Sequence, residues 1–147
     1  MTPDAIEQVR SSYTRLTATE RQLSAGFYER LFTVAPYLRR LFPDDLSALQ
    51  GHFEAALALV IRNLGEMDTL REALRDLGGQ HVHWGARPED YVTARDALVG
   101  AIGSFSPDWN PTLEAHWRAA ITAIIVPMIE GAAVRTAMEA ERIAGTS

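Results

Sequence analysis

The chain has 147 residues and a mass of 16.2 kDa, which is the size of one ordinary domain with a sizeable core. It contains no cysteine, and all 14 of its basic residues are arginine. This composition excludes disulfides, thiolate metal sites, covalently attached c-type haem and lysine Schiff-base chemistry. The formal net charge is −5 and no basic face recurs, so nucleic acid is not an expected partner.

The N-terminal third of the chain predicts two helices and a short turn. Pro3 directly after Thr2 is typical of a helix start, and apolar residues follow at helical spacing. Thr17 and Glu20 have the spacing of a capping box, which predicts that a second helix begins at Thr17. A short helical turn is predicted over residues 36–42.

The next helix is predicted to begin at Asp44 or Asp45 and to reach about Leu64, where Gly65 ends it. The two aspartates could bind a divalent ion, but capping the helix is the commoner use of such residues. The apolar residues fall on one stripe, and Gln50 lies just off its edge. The stripe contains Leu46, Leu49, Phe53, Leu57, Val60 and Leu64.

Three further helices are predicted in the second half of the chain. They cover residues 67–84, with Gly85 as the stop signal, 88–105, and 111–143 with a kink at Pro127. No segment alternates apolar and polar residues as a half-buried strand does. The fold class is therefore predicted to be all-α.

No segment indicates export or membrane insertion. The N-terminus lacks the apolar core of a signal peptide. The most apolar run, residues 119–129, is shorter than the roughly 18 apolar residues of a membrane span. We therefore expect a cytoplasmic protein with no membrane partner.

The histidines are the candidates for chemistry, and one of them has an unusual position. The chain has four: His52, His81, His83 and His116. At about 100° per residue, His81 falls in the middle of an apolar stripe, whereas His83 points to the opposite side. The stripe contains Leu70, Leu74, Leu77 and Trp84. A histidine so placed is either a core residue bonded to a backbone carbonyl or a metal ligand.

Two segments carry distinctive combinations of residues. In LGGQHVHWGARPEDYVTARDALVGAI, residues 77–102, a histidine precedes a glycine by four residues, and a Pro-x-x-Tyr turn follows. In FYERLFTVAPYLRRLFPDD, residues 27–45, a Phe-Tyr pair precedes a Leu-Phe-Pro turn. Trp117 lies early in the last helix. The order of these motifs along the chain is similar to that in single-domain bacterial haemoglobins and in the globin domain of flavohaemoglobins.

This resemblance implies that residues 1–147 form a single globin domain, with six to eight helices around a haem b pocket. His81 would be the metal ligand and would donate its other ring N–H to a backbone carbonyl. The residues expected to contact the haem are Phe42, Leu49, His52, Phe53, Leu74, Leu77, Trp84 and Tyr91. The residues expected to line the distal ligand pocket are Tyr28, Leu49, Gln50 and Phe53.

The sequence departs from the family pattern at two positions. Leu49 aligns with a distal position that is usually glutamine in these relatives, and Gln50 is one step away. The tyrosine of the flavohaemoglobin proximal network is matched by Tyr91, but Val134 stands at the position of its glutamate. Specialised oxygen activation is therefore not expected, and Tyr28 would be the main distal hydrogen-bond donor.

The function implied by the resemblance is reversible binding of oxygen, nitric oxide and carbon monoxide, with oxygen transport or nitric-oxide detoxification as the role. Flavohaemoglobins carry a reductase after the globin, whereas this chain ends before one. Nitric-oxide dioxygenase activity is therefore expected only with an external reductase. The alternative is a globin-fold sensor or interaction module without a gas-carrier role.

Overall fold

The computed structural model describes residues 1–18 and 22–145. Within these ranges the regular secondary structure is entirely helical, which confirms the all-α prediction. The α-helices are α1 (Pro3–Thr17), α2 (Leu23–Val34), α3 (Ser47–Arg62), α4 (Arg71–His83), α5 (Pro88–Phe105) and α6 (Pro111–Gly145). There are also two 3-10 helices: the first (Pro36–Leu41) follows α2, and the second (Leu64–Thr69) follows α3.

Helix starts marked by proline were predicted correctly. Pro3, Pro88 and Pro111 are the first residues of α1, α5 and α6. Proline suits this position because the first N–H groups of a helix have no partner within it. At the start of α1, the Thr2 hydroxyl accepts a hydrogen bond from the Ala5 amide at 3.1 Å, as an N-cap side chain does.

The predicted start of the second helix was wrong. Thr17 is the last residue of α1, and its hydroxyl donates to the Tyr13 and Thr14 carbonyls behind it. α2 begins at Leu23 instead. The capping-box spacing was misleading because a threonine hydroxyl can equally bond the carbonyls of the preceding turn. Glu20, the other half of that prediction, lies outside the described residues.

The helix predicted from Asp44 or Asp45 begins at Ser47. Asp45 still supports its start, because Asp45 Oδ1 accepts from the Ser47 amide at 3.0 Å and from the Ser47 hydroxyl at 2.7 Å. These hydrogen bonds lower the pKa of the Asp45 carboxyl below its usual value. The geometry is that of a turn stabilised by aspartate.

The predicted boundary at Gly65 was also wrong. α3 ends at Arg62, and Gly65 lies inside the second 3-10 helix, whose Glu66 has a non-helical φ of −134° and ψ of 44°. α4 therefore starts at Arg71, four residues later than predicted. A glycine signals a break in a helix but does not define the length of the irregular segment that follows.

The closest approach between helices is the crossing of α4 and α6, which have the most extensive contact of any pair. A Cβ atom at Gly78 would overlap with the Met128 carbonyl, and one at Gly131 would overlap with the Arg75 carbonyl. Backbones can come this close only where a side chain is missing. The two glycines therefore fix α4 against α6, and α4 carries His81.

The N-terminal half of α6 is joined to α1 by a buried hydrogen bond. Trp117 is fully buried, and its indole Nε1 donates to the Ser12 hydroxyl at 3.0 Å. Ser12 is itself 2% exposed. Because a buried N–H without a partner is costly, this pair specifies how α1 docks on the core.

α6 is long and apolar enough to span a membrane by length and composition. The expectation that no segment approaches a membrane span was therefore wrong by this criterion. α6 contacts α1, α4 and α5, and Trp117, Ile121 and Ile125 on it are buried. A core helix of a soluble protein meets the same criterion.

Gly131→Ala is expected to destabilise the fold by about 1–3 kcal/mol, because the new methyl group would push α6 away from the α4 backbone. Gly51→Ala is the matched control. Gly51 lies inside α3, and a Cβ there would meet nothing within 4 Å, so alanine should stabilise the helix by about 0.5–1 kcal/mol. Urea unfolding midpoints measure both changes, and equal midpoints for the two variants would contradict the close crossing.

Candidate functional site

The C-terminal end of α4 is fixed by its hydrogen bonds. Gly85 has a φ of 98°, a left-handed conformation that favours glycine. Its amide donates to the Val82 carbonyl at 3.0 Å, and the Ala86 amide donates to the His81 carbonyl at 2.9 Å. This pair of bonds is a Schellman motif. It confirms Gly85 as the stop signal and holds the backbone of His81.

The His81 side chain is held in one orientation by a hydrogen bond. Its Nδ1 lies 2.8 Å from the Leu77 carbonyl oxygen, one turn earlier on α4. A carbonyl only accepts, so Nδ1 carries the proton and Nε2 keeps its lone pair. Burial lowers the pKa of His81 below its usual 6.5, although the bond to Leu77 offsets part of this effect. The neutral ring can therefore offer Nε2 to a metal.

Two aromatic rings flank His81. The Trp84 ring lies 5.0 Å from it, centroid to centroid, and the Tyr91 ring lies 6.1 Å from it. Trp84 is 53% exposed, whereas Tyr91 is buried. The Tyr91 hydroxyl donates to the Gly78 carbonyl at 3.5 Å, and burial raises the pKa of Tyr91 to about 12. Tyr91 therefore contacts both the α4 backbone and the histidine ring.

Leu74 and Leu77, predicted beside His81, differ in burial. Leu74 lies in the core, 6% exposed, whereas Leu77 is only half-buried. Val134, at the position of the family's proximal glutamate, is 47% exposed on α6.

Tyr28 lies within an aromatic cluster formed by α2, α3 and the segment after the first 3-10 helix. Its ring centroid lies within about 6 Å of four others, namely those of Phe27, Phe32, Phe42 and Phe53. Phe53 also stacks on Phe27 at 4.9 Å. Tyr28 is 7% exposed, and burial raises the pKa of its hydroxyl. Of the sequence-predicted residues, Phe42 and Phe53 therefore each contact Tyr28.

The other predicted site residues on α3 differ in exposure. Leu49 and Gln50 are both half-buried, and His52 is exposed. Burial therefore does not discriminate between Leu49 and Gln50 as the inward residue. The exposure of His52 agrees with a surface position on α3.

α4, which carries His81, has no extensive contact in the described ranges with α2 or α3, which carry most of the aromatic cluster. α3 contacts α1, α2 and the second 3-10 helix, but in the described ranges it has no extensive contact with α4 or α5. Several large apolar side chains on α3, α4 and the segment that leads into α3 are only partly buried: Leu41, Phe42, Leu46, Leu49, Phe53 and Leu77. Partly buried apolar side chains and a neutral histidine nitrogen are the kinds of group that hold a haem.

A polar clamp beside this region was missed by the sequence analysis. Asp90 is buried at the start of α5 and accepts from the Arg87 amide at 2.9 Å and from its guanidinium at 3.2 and 3.3 Å. Arg87 also lies 5.2 Å above the Tyr37 ring, and the Tyr37 hydroxyl contacts Asp90 at 3.5 Å. These contacts tie the α4–α5 loop to the first 3-10 helix, beside a cavity of about 410 Å³.

The signal that could have revealed the clamp is the Arg-Pro-Glu-Asp sequence at the start of α5, residues 87–90. An acid three residues after the residue that precedes a helix is the spacing of a capping box. The partner from the first 3-10 helix, Tyr37, had no such signal.

Comparison with known proteins agrees with the family resemblance of the sequence. A family model for Globin matches residues 25–128. Leghemoglobin from Psophocarpus tetragonolobus is 26% identical over 122 residues, covering 76% of this chain and 84% of that protein.

Two solved structures have similar folds. An engineered carbene transferase, based on a proposed nitric oxide dioxygenase of Rhodothermus marinus, has a TM-score of 0.80 at 23% identity and covers 95% of this chain and 99% of its own. A Pseudomonas aeruginosa protein, described as structurally highly homologous to a human haemoglobin, has a TM-score of 0.76 at 25% identity. It covers 86% of this chain and 97% of its own.

Tyr91 is expected to make the fold less stable at alkaline pH. Its pKa is about 12 in the folded chain against 10.0 for a free phenol, so the unfolded chain loses the proton first. This contribution is complete below pH 10 and is lost as the pH rises through about 12. Between about pH 8 and 12, the free energy of unfolding should therefore fall by about 2–3 kcal/mol more in the wild type than in Tyr91→Phe. Urea unfolding across this range tests the expectation, and parallel curves would contradict it.

Proposed function

The chain belongs to the globin family, and we propose that it is a haem b protein that binds oxygen, nitric oxide and carbon monoxide reversibly. Family membership implies haem binding in general, and the leghemoglobin relative agrees with it. Beyond family membership, we propose the type of haem, the particular gases and the residues that hold them.

The observation that carries this proposal is the state of His81. Its Nδ1 is engaged by the Leu77 carbonyl, its backbone is fixed by the Schellman motif, and burial keeps the ring neutral. Nε2 would therefore be a preorganised ligand, with Leu77 as the outer partner that sets the tautomer. When bound, ferrous haem supplies a metal centre with an open coordination position for a diatomic gas.

On the other side, the aromatic cluster around Tyr28 would enclose the gas. The rings of Phe42 and Phe53 exclude water, and Tyr28 is the one member of the cluster with a hydroxyl. A single donor among apolar rings favours a polarised diatomic ligand over an unpolarised one. Half-buried Gln50 is the second candidate for a donor.

The physiological role we propose is oxygen binding and transport, with nitric-oxide detoxification when an external reductase supplies electrons. The exposed Val134 contributes no carboxylate beside Tyr91, and the Tyr91 hydroxyl bonds the Gly78 carbonyl. Both features favour simple binding over specialised oxygen activation. We further propose that residues 1–147 form a single cytoplasmic domain with neither nucleic acid nor membrane as a partner.

The second candidate function is a globin-fold sensor or interaction module. The cavity beside the Arg87–Asp90 clamp and the 53% exposure of Trp84 favour it, because exposed aromatic side chains are common at interfaces. The two candidates differ in their affinity for haem. A gas carrier keeps haem during purification, whereas an interaction module without haem is colourless and takes up no haemin.

His81→Ala is expected to abolish stable haem binding, or to leave a weakly held haem whose spectrum changes on addition of imidazole, because the ring supplies the metal ligand. His52→Ala and His83→Ala are matched controls, since both histidines are exposed. Absorption spectra of the ferric and ferrous proteins measure the effect. An unchanged spectrum in His81→Ala, with loss of the spectrum in either control, would overturn the ligand assignment.

Tyr28→Phe is expected to speed oxygen dissociation by roughly five- to a hundredfold, because one hydrogen bond to a polar ligand is worth about 1–3 kcal/mol. Carbon monoxide is less polarised when bound, so its dissociation should change much less. Stopped-flow dissociation of both gases tests this expectation. Equal oxygen rates in wild type and Tyr28→Phe would remove Tyr28 from the site, and a large effect of Gln50→Ala alone would assign the donor to Gln50.

A further inference from the structure

α3 packs on α1, α2 and the second 3-10 helix, and two polar contacts add to this packing. At its C-terminal end, the Arg10 guanidinium of α1 donates to the Ile61 carbonyl at 3.3 Å and to the Arg62 carbonyl at 3.0 Å. These are terminal carbonyls of α3, which have no partner within the helix. Arg10 therefore fixes the C-terminal end of α3 on α1.

The second contact is at the middle of α3. The Glu54 carboxylate accepts a hydrogen bond from the Ser24 amide at 2.9 Å. Ser24 is the second residue of α2 and is 1% exposed, and Gln22 before it makes no side-chain capping bond. Glu54 thus satisfies an amide that the helix cannot satisfy itself, and its negative charge lies at the positive end of the α2 dipole.

Glu54 is adjacent to Phe53, whose ring stacks on Phe27 of α2 at 4.9 Å. Phe27 in turn precedes Tyr28. The hydrogen bond and the ring stack therefore join the same two helices, close to the proposed ligand pocket. The charge of Glu54 also acts on Tyr13 of α1. Burial is the larger cause of the raised pKa of Tyr13, and the negative charge of Glu54 is the second.

We propose that Glu54 is a positioning residue that sets the spacing between Tyr28 on α2 and the Leu49–Phe53 face of α3, and thereby sets how strongly a polar gas is retained relative to an unpolarised one. The proposal rests on the proposed function. Glu54 contacts neither the ligand nor the haem in this account. It acts through the first turn of α2.

The substitutions separate the hydrogen bond from the charge. Glu54→Leu removes the acceptor, Glu54→Asp withdraws it by one methylene group, and Glu54→Gln keeps a carbonyl oxygen that can still accept from Ser24. Glu54→Asp is the milder alternative to the leucine variant if that variant does not fold. Glu29→Leu, on the exposed surface of α2, is the control for the loss of one negative charge.

The first measurement is amide hydrogen exchange at Ser24 in the full chain. The amide should be protected in the wild type and in Glu54→Gln, and it should exchange faster in Glu54→Asp and Glu54→Leu. This readout requires neither gas nor activity. Equal protection in all variants would show that Glu54 does not hold α2, and the proposal would be wrong.

The second measurement is the dissociation of oxygen and carbon monoxide from the haem-loaded variants. Glu54→Asp and Glu54→Leu should speed oxygen release by roughly three- to tenfold, with little change for carbon monoxide, because part of one hydrogen bond is lost. Glu54→Gln and Glu29→Leu should match the wild type. In a Tyr28→Phe background the Glu54 substitutions should add almost nothing, because both act through the same hydroxyl.

The outcomes distinguish this proposal from the proposed function. If the wild type takes up no haem, the proposed function fails, and the role of Glu54 in gas retention fails with it, whatever the Ser24 amide shows. If haem and gas bind normally but the ratio of the oxygen and carbon monoxide rates is unchanged in Glu54→Asp and Glu54→Leu, only the positioning role is wrong. Full additivity with Tyr28→Phe would also overturn it.

Discussion

The contact on which this structure most depends is the crossing of α4 and α6 at Gly78 and Gly131. Each glycine faces a backbone carbonyl of the other helix, so no side chain separates the two backbones there. Since α4 is anchored so closely at this crossing, the backbone that carries His81 has a fixed position. The hydrogen bond from Nδ1 to the Leu77 carbonyl then fixes the ring. The proposed metal ligand is therefore determined by backbone contacts more than by the side chains around it.

The distal side is built differently. α3 packs on α1, α2 and the second 3-10 helix, and the Arg10 contacts, the Glu54 contact and the stacking of Phe53 on Phe27 add to this packing. In the function that we propose, the closely anchored α4 would present the metal ligand with constant geometry, whereas α3 would set selectivity through small changes of position.

Much of the fold could be predicted from the sequence, because prolines at helix starts and a glycine at a helix stop are local signals. The starts of α1, α5 and α6 and the stop at Gly85 are examples. The position of His81 on α4 followed from helical periodicity. The start of α2 was wrong because the Thr17 hydroxyl bonds backwards, and local spacing does not distinguish these two uses.

The remaining parts of the site depend on contacts between residues far apart in the chain. Glu54 and Ser24 are thirty positions apart, and Tyr37 lies fifty-three positions before Asp90. No helical period relates such pairs, so only the folded structure brings them together. Neither the sequence nor burial decides whether Leu49 or Gln50 faces the proposed ligand pocket. Neighbouring residues differ by about 100° around a helix, and both of these side chains are half-buried.

The central claim, that His81 is the metal ligand, is tested most directly by resonance Raman spectroscopy of the ferrous, ligand-free protein. A five-coordinate histidine-ligated haem gives an iron–histidine stretching band that shifts when the histidines are labelled with heavy nitrogen. The account predicts this band in the wild type, in His52→Ala and in His83→Ala, and its loss in His81→Ala. A labelled band that persists in His81→Ala, or that is missing from the haem-loaded wild type, would contradict it.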